Sequence, residues 1–406
     1  MRRGWSVGSR STCGLRTVAT LGLRRKLRIP ALLAAASFAV GPLSGLSHDR
    51  VRQAVDAVVP PLMTKDRIPG MAVGIAIDGH SRVFVYGERS LRTHEPVTAD
   101  TLFEIGSVSK TFTATLASYA VSSGHMALAD TPSKYLPSLR HTHFGDEVSL
   151  LDLATHTPGG LPLQVPADIR TRAELLRYLR AWRPKYPPGT YRTYSNVGVG
   201  LLGLLAARSL HRNFTALMQQ RLLVPLGLRN TFVDVPVARM PDYAQGYSSG
   251  GRPARLRPGY LWQEAYGIRT TAGDMTRFLE INMGSIRVDR VLERSILATH
   301  TAYFTAGALT QDLIWEQYRY PVALQRLLGG NGPMMLFDAV RATALRPPQE
   351  PQANVWLNKT GSTDGFSAYV AFIPARKLGI VILANRSYPI PDRVTAGYEI
   401  LTSLAQ

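Results

Sequence analysis

Asn354-Val-Trp-Leu-Asn-Lys-Thr-Gly361, Phe366-Ser-Ala-Tyr-Val-Ala-Phe-Ile373 and Gly379-Ile-Val-Ile-Leu-Ala384 follow one another near the end of the chain. Each run is short, rich in β-branched and aromatic residues, and joined to the next by a tight loop. They read as three successive strands, with a terminal helix after them. At the other end, residues 71–77 and 82–86 are β-rich and flank a turn containing Asp78-Gly79, a hairpin signal. Between these ends the pattern is helical. Residues 49–59, 107–123 and 273–283 read as helices, and 197–210 is so uniformly apolar that it reads as a buried one. Strands at both ends with helices between them predict an α+β protein. Its mostly antiparallel sheet is built from both chain ends and flanked by helices, with an inserted all-helical lobe. The sheet lobe is expected over about 48–105 and 255–406, and the helical lobe over about 106–254.

The 406 residues are 45% apolar and 18% charged, which is ordinary globular usage and excludes a disordered or collagen-like chain. Cys13 is the one cysteine, so intramolecular disulfides and multi-thiolate zinc sites are excluded. The net charge of +19 is uneven. Residues 1–47 hold eight basic residues and no acid, and their apolar run, 29–40, is shorter than the roughly 20 residues a membrane-spanning helix needs. The run exits through Gly45-Leu46-Ser47 before His48-Asp49. This pattern reads as an export signal over 1–47, with a retained N-terminal anchor as the alternative. Arg24-Arg25-Lys26-Leu27 is a weak twin-arginine signal. Removal of 1–47 leaves 359 residues, a charge of +11 and no cysteine. The remaining basic residues form no stripe interleaved with aromatics, so nucleic acid is not an expected partner.

Lysine is rare, with seven against forty arginines. Lysine can lose its proton when desolvated, and arginine cannot. That difference draws attention to Lys110 and Lys359. Lys110 closes Ser107-Val108-Ser109-Lys110, the one Ser-x-x-Lys of the chain, at the start of an expected helix. Residues i and i+3 share a helix face, which puts the ammonium beside the hydroxyl and the pair in the positive field of the helix N-terminus. This is the geometry of an activated serine nucleophile, although any surface helix could carry the tetrapeptide. Tyr194-Ser195-Asn196 lies in a loop before the buried helix. A tyrosine near two lysines can act as a general base; alone, it is a solvated loop residue. Lys359-Thr360-Gly361 ends a strand and supplies a charge, a hydroxyl and room for close approach; alone, it is a turn.

In this order, on a helix, a loop and a strand, the three motifs point to the penicillin-recognising serine enzymes. The chain resembles class C β-lactamases. The stretches that carry the resemblance are Phe103-Glu-Ile-Gly-Ser-Val-Ser-Lys-Thr-Phe112, Gly159-Gly-Leu-Pro-Leu-Gln-Val-Pro166, Tyr194-Ser-Asn196, Glu264-Ala-Tyr-Gly267 and Asn358-Lys-Thr-Gly361. The last continues through Tyr369-Val-Ala-Phe-Ile-Pro374 to Leu383-Ala-Asn385. Essentially the whole chain after the export signal is covered.

The resemblance implies a β-lactamase/transpeptidase-like fold and hydrolysis of cephalosporins and penicillins through a serine acyl-enzyme. Ser107 would be the nucleophile, with Lys110 and Tyr194 sharing the acid/base work. Gln164 and Asn196 would contact the acylamino side chain of the substrate, and Tyr266 would line the pocket. Lys359, Thr360 and Arg393 would engage the carboxylate. The backbone N–H groups of Ser107 and Ser362 would form the oxyanion hole. No metal or cofactor is implied. The expected partner is a small β-lactam, and the expected state is a periplasmic monomer without stable membrane association. No Glu-x-x-x-Asn stretch lies between the second and third motifs, which favours class C over class A. Where many class C enzymes carry asparagines, this chain has Ser387 and Ile390.

The rival readings are a penicillin-binding D-Ala-D-Ala peptidase, an esterase on the same fold, and a non-catalytic sensor that acylates and signals. Against the esterase stands an intact Lys-Thr-Gly. Two Gly-x-Ser-x-Gly stretches, 4–8 and 246–250, spell a nucleophile elbow, but the second is followed by Gly251-Arg252-Pro253 and not by a helix. His141-Thr142-His143 with Asp146 lacks further metal ligands at suitable spacing and reads as a polar loop.

Overall fold

The structure, a computed structural model, describes residues 48–406. The expected export signal, 1–47, with Cys13, lies outside the described residues.

The strands are β1 (Gly70–Ile77), β2 (His80–Ser90), β3 (Glu95–Pro96), β4 (Phe103–Glu104), β5 (Tyr191–Arg192), β6 (Thr231–Phe232), β7 (Arg269–Thr270), β8 (Ala302–Ala306), β9 (Leu309–Gln311), β10 (Glu316–Arg319), β11 (Val340–Gln349), β12 (Val355–Ser362), β13 (Ser367–Ile373) and β14 (Leu378–Ala384). Eleven form one sheet in the order β3-β2-β1-β14-β13-β12-β10-β9-β8-β11-β5, and a short second sheet runs β4-β7-β6. The helices that matter most for the site are α1 (His48–Asp56), α2 (Val59–Asp66), α3 (Ser109–Ser122), α4 (Asn196–Ser209), α5 (Ala272–Asn282) and α6 (Ile390–Ala405).

The two ends of the chain meet in the sheet. β1 pairs antiparallel with β14, from Met71↔Ala384 to Ile77↔Leu378, and β14 pairs antiparallel with β13. The β1–β2 hairpin turns through Asp78 and Gly79 at φ 49° and 83°, the two left-handed residues that a tight two-residue hairpin of this twist requires. Strands here are continuous apolar runs because both sheet faces are covered. Val73, Ile75, Tyr369, Ala371, Ile380 and Ile382 pack with Val51 and Val55 of α1 and Ile400 and Leu401 of α6. On the other face Ala72, Ala76, Val370, Phe372, Val381 and Leu383 pack with Met275, Phe278 and Leu279 of α5. An antiparallel strand with one wet face would alternate apolar and polar; β1, β13 and β14 do not.

α3 and α4 are buried almost all round. Phe112 and Leu116 of α3 join the α5 side of the core, whereas Ala114, Ala117 and Ala120 pack with Val197, Leu201 and Leu205 of α4. Burial on every side explains why neither helix shows a polar stripe.

The structure differs locally from the sequence reading. The helix expected over 49–59 is divided, because Pro60-Pro61 occupies the first turn of α2, where proline starts a helix but cannot continue one. The helix expected from 107 begins at Ser109, and Ser107 sits in a 3₁₀ turn, Gly106–Val108. Strands β8 to β11 carry little strand signal. β11 is largely exposed and contains Pro347 and Pro348, and β10 opens on a charged residue. The range 106–254 contributes β5 and β6 besides its helices.

Candidate active site

The 3₁₀ turn that carries Ser107 is pressed against β12, and two glycines permit the contact. A Cβ on Gly106, whose φ is +50°, would stand 2.5 Å from the Ser362 carbonyl oxygen and 2.6 Å from its nitrogen; one on Gly361 would stand 2.0 Å from the Ile105 carbonyl oxygen. Any side chain at either position would drive the strand off the turn. The arrangement sets the Ser362 backbone beside the turn of Ser107.

One residue into α3, Lys110 is fully buried, and its Nζ donates to Ser107 Oγ at 2.9 Å and to the Ala265 carbonyl at 2.9 Å. Burial, helped by the charge of Lys359, lowers its pKa to about 8, against the opposing pull of Tyr194 and Glu316. An amine so placed exchanges a proton with the serine near neutral pH.

Tyr194 stands between β5 and α4. Three cations surround its ring, with Lys359 Nζ, Lys110 Nζ and the Arg192 guanidinium carbon at 5.0, 5.3 and 5.5 Å from the centroid. Burial pushes its pKa up, but Lys110 and Lys359 outweigh burial, and the interaction with Ser107 adds to them. The phenol is therefore more acidic than an ordinary tyrosine. Its oxygen is buried without a hydrogen-bond partner of ordinary geometry.

The Lys359 ammonium, 2% exposed, donates to Glu316 Oε1 at 3.0 Å; burial pushes its pKa down, but Glu316 and Tyr194 together hold it above the usual lysine value. Asn196 opens α4; its N–H donates to the Leu163 carbonyl at 2.8 Å, and its Oδ1 is buried without a partner. The residues that line the cleft include Ser107, Gln164, Arg192, Tyr194, Asn196, Glu316, Lys359, Thr360, Ser362 and Ile390. An adjoining hollow shares Ser107, Gln164, Asn196 and Ser362 and adds Tyr266. Lys110 stands behind Ser107. Arg393 is 1% exposed and lies behind β12, where it donates to the carbonyls of Gly361 and Tyr388 at 2.5 Å and to Ser362 Oγ at 3.1 Å. It reaches the cleft through the strand it braces.

Sequence reasoning missed three residues here. Arg192 and Glu316 are buried, and Glu316 Oε1 also accepts from Arg192 Nη2 at 3.2 Å. His156 packs on the Tyr194 ring at 4.4 Å, and its Nδ1 accepts from the Ser195 N–H at 3.2 Å, which leaves the proton on Nε2. Burial, with Arg192, Lys110 and Lys359, holds its pKa well below the usual histidine value, so it is neutral. In sequence these three look like surface polar residues; Arg192 and His156 lie within three positions of motif residues, and Glu316 carries no such signal. The other candidates are occupied elsewhere. Ser248 Oγ accepts from the Arg252 N–H in a turn. Asp146 accepts from the His141 N–H, and His143 pairs with Glu147 at 2.6 Å. Among the described residues no three His, Cys, Asp or Glu stand close enough together to hold a metal, and no helix is long and apolar enough to cross a membrane.

The family model for β-lactamase matches residues 55–405. The chain belongs to the β-lactamase family. A β-lactamase of Lysobacter lactamgenus is 49% identical over 86% of this chain and 92% of its own length. The solved structure of a D-alanine carboxypeptidase from Burkholderia cenocepacia is 56% identical, with a TM-score of 0.85 over 88% of this chain and all of that one. A class C β-lactamase in complex with cefoxitin is 46% identical, with a TM-score of 0.85 over 87% and 99% of the two chains. The α+β architecture, with its large antiparallel sheet flanked by helices, is that of the β-lactamases. Within this β-lactamase fold, a buried amine on a serine, an acidified phenol and a strand-borne ammonium face one cleft. Such a set can form and break an ester on the serine and hold an anionic substrate.

Proposed function

We propose that this chain is a class C serine β-lactamase that opens the amide of cephalosporins and penicillins through an acyl-enzyme on Ser107, giving antibiotic resistance. The observation that carries the reading is the contact of Lys110 Nζ with Ser107 Oγ, next to Tyr194 and across the cleft from Lys359. Ser107 Oγ attacks the lactam carbonyl while its proton passes to the Lys110–Tyr194 pair. The developing oxyanion takes hydrogen bonds from the N–H groups of Ser107 and Ser362. The C–N bond breaks, and the lactam nitrogen takes the proton from Tyr194. Water then attacks the ester, gives a proton to the same pair, and Ser107 leaves as the alcohol. Lys359 and Thr360 bind the carboxylate, Arg393 braces the strand that presents them, and Asn196 and Gln164 bind the acylamino group. Ser107, Lys110 and Tyr194 belong to the helical lobe, about 106–254, and Lys359 to the sheet lobe, so the substrate sits between the two. Nitrocefin followed under multiple turnover tests the reading. Rapid acylation followed by stalling would favour the second reading, a D-Ala-D-Ala carboxypeptidase, which the similarity to the Burkholderia protein brings forward.

Export of the chain, with loss of 1–47, leaves a periplasmic monomer without stable membrane association. The mature N-terminus is expected near His48, and intact mass of the periplasmic protein reads it directly. A mature form that keeps residues 29–47 overturns the cleavage.

Ile390 lines the cleft with Lys359 and Thr360 and can donate nothing to an anion. Ile390→Asn is expected to speed acylation by sulfated or carboxylated inhibitors with little change in kcat for cephalosporins. One charge-assisted hydrogen bond is worth about 1.5–3 kcal/mol, up to about a hundredfold. Coincident acylation kinetics of the two forms across several anionic inhibitors would exclude a role for this side chain.

A further inference from the structure

Beside Lys359, in the wall of the same cleft, stands a buried group of charges that the reaction scheme above does not use. Glu316, on β10, is 4% exposed, and its Oε1 accepts from Lys359 Nζ of β12 at 3.0 Å and from Arg192 Nη2 of β5 at 3.2 Å. Arg192 is fixed on every nitrogen: Nε donates to Gln311 Oε1 at 2.7 Å, and Nη1 to the Met335 carbonyl at 2.6 Å. Gln311 is itself held, donating to the carbonyls of Asp312 and Trp315 at 3.0 and 3.1 Å. Three ions packed this deeply contribute little net stability, because desolvation offsets their attraction. Their position explains them better than their strength. Among the described residues Glu316 Oε1 is the one side-chain acceptor on the Lys359 ammonium, and Lys359 is one of three cations around the Tyr194 ring.

We propose that Glu316, clamped by Arg192, is a positioning residue that ties Lys359 to the cleft wall and keeps its charge from closing on the Tyr194 oxygen. The inference rests on the hydrolase reading of the cleft. The ionisable groups that face Glu316 are Arg192 from β5, Lys359 from β12, Tyr369 from β13 and Tyr318 of its own strand, with Lys110 of α3 and Tyr194 further out. Those that face Tyr194 are Lys110, Lys359, Arg192 and the neutral His156. The negative charge of Glu316 opposes ionisation of Tyr194 and supports the charge on Lys359. Removing it makes the phenol more acidic and the lysine less basic.

Glu316→Gln keeps the shape and removes the charge. In the mature protein labelled with [13Cζ]tyrosine, the Tyr194 resonance, identified by its absence in Tyr194→Phe, is expected to titrate at lower pH than in wild type. Both limbs of the kcat/KM profile for nitrocefin are expected to move to lower pH, and KM to rise about tenfold, the worth of one charge-assisted hydrogen bond, with a smaller change in kcat. If Glu316→Gln does not fold, Glu316→Asp, which draws the carboxylate back from Lys359, decides by the same titration and is expected to shift it less, in the same direction. An unmoved Tyr194 titration overturns the inference whatever the activity. A wild-type protein that does not turn nitrocefin over overturns the hydrolase reading and leaves the titration to judge Glu316.

Discussion

Ser107→Ala is expected to abolish turnover of nitrocefin, by a factor on the order of 10⁶, the loss that follows removal of a serine nucleophile acting as part of a unit. Lys110 keeps its bond to the Ala265 carbonyl, so the variant retains the buried amine and is expected to fold. EDTA leaves the wild-type rate unchanged. With a slow substrate, mass spectrometry finds one adduct, on the peptide that carries Ser107. Residues 48–406 contain no cysteine to compete for the acyl group. An adduct on another peptide, or activity lost to the chelator, rules the mechanism out.

Tyr194→Phe is expected to keep the fold and substrate binding while losing about 10²–10⁴-fold in kcat, the usual worth of one general acid/base group. The ring remains packed on His156 and among the three cations, and only the hydroxyl is gone. The pH dependence distinguishes the two proton carriers. Wild-type kcat/KM rises as the Lys110–Tyr194 pair loses a proton. Tyr194 raises the pKa of Lys110, which stands at about 8 in its presence, so without the phenol the lysine loses its proton at lower pH. The residual activity of Tyr194→Phe therefore rises at lower pH than that of wild type. Near-normal kcat would transfer the base role to Lys110 alone.

Much of this was legible in the amino-acid order. The apolar runs of β1, β13 and β14 announced a sheet built from both ends of the chain, and Asp78-Gly79 announced its hairpin. The Ser-x-x-Lys spacing put Lys110 beside Ser107, although the serine stands in the 3₁₀ turn before α3, and a lysine in a chain that prefers arginine marked Lys359. These features are local: a turn, a helix face and a strand pattern are set by residues a few positions apart.

What depends on distant residues was decided only by tertiary structure. Whether a glutamate or an arginine is solvated or buried cannot be read from its neighbours in sequence, and so Glu316 and Arg192 stayed hidden until β10, β12 and β5 put them within 3.2 Å of each other. The same holds for His156, which meets Tyr194 across 38 positions of sequence. Arg393 shows the converse: its residue type suits an anion, and only the packing of α6 on β13 and β14 turns its guanidinium to the backbone of Gly361. Sequence determined which groups can carry charge and which segments form strands and helices. The tertiary structure decided how far each charge is from water and from the next charge, and those distances set the acidity of Lys110 and Tyr194.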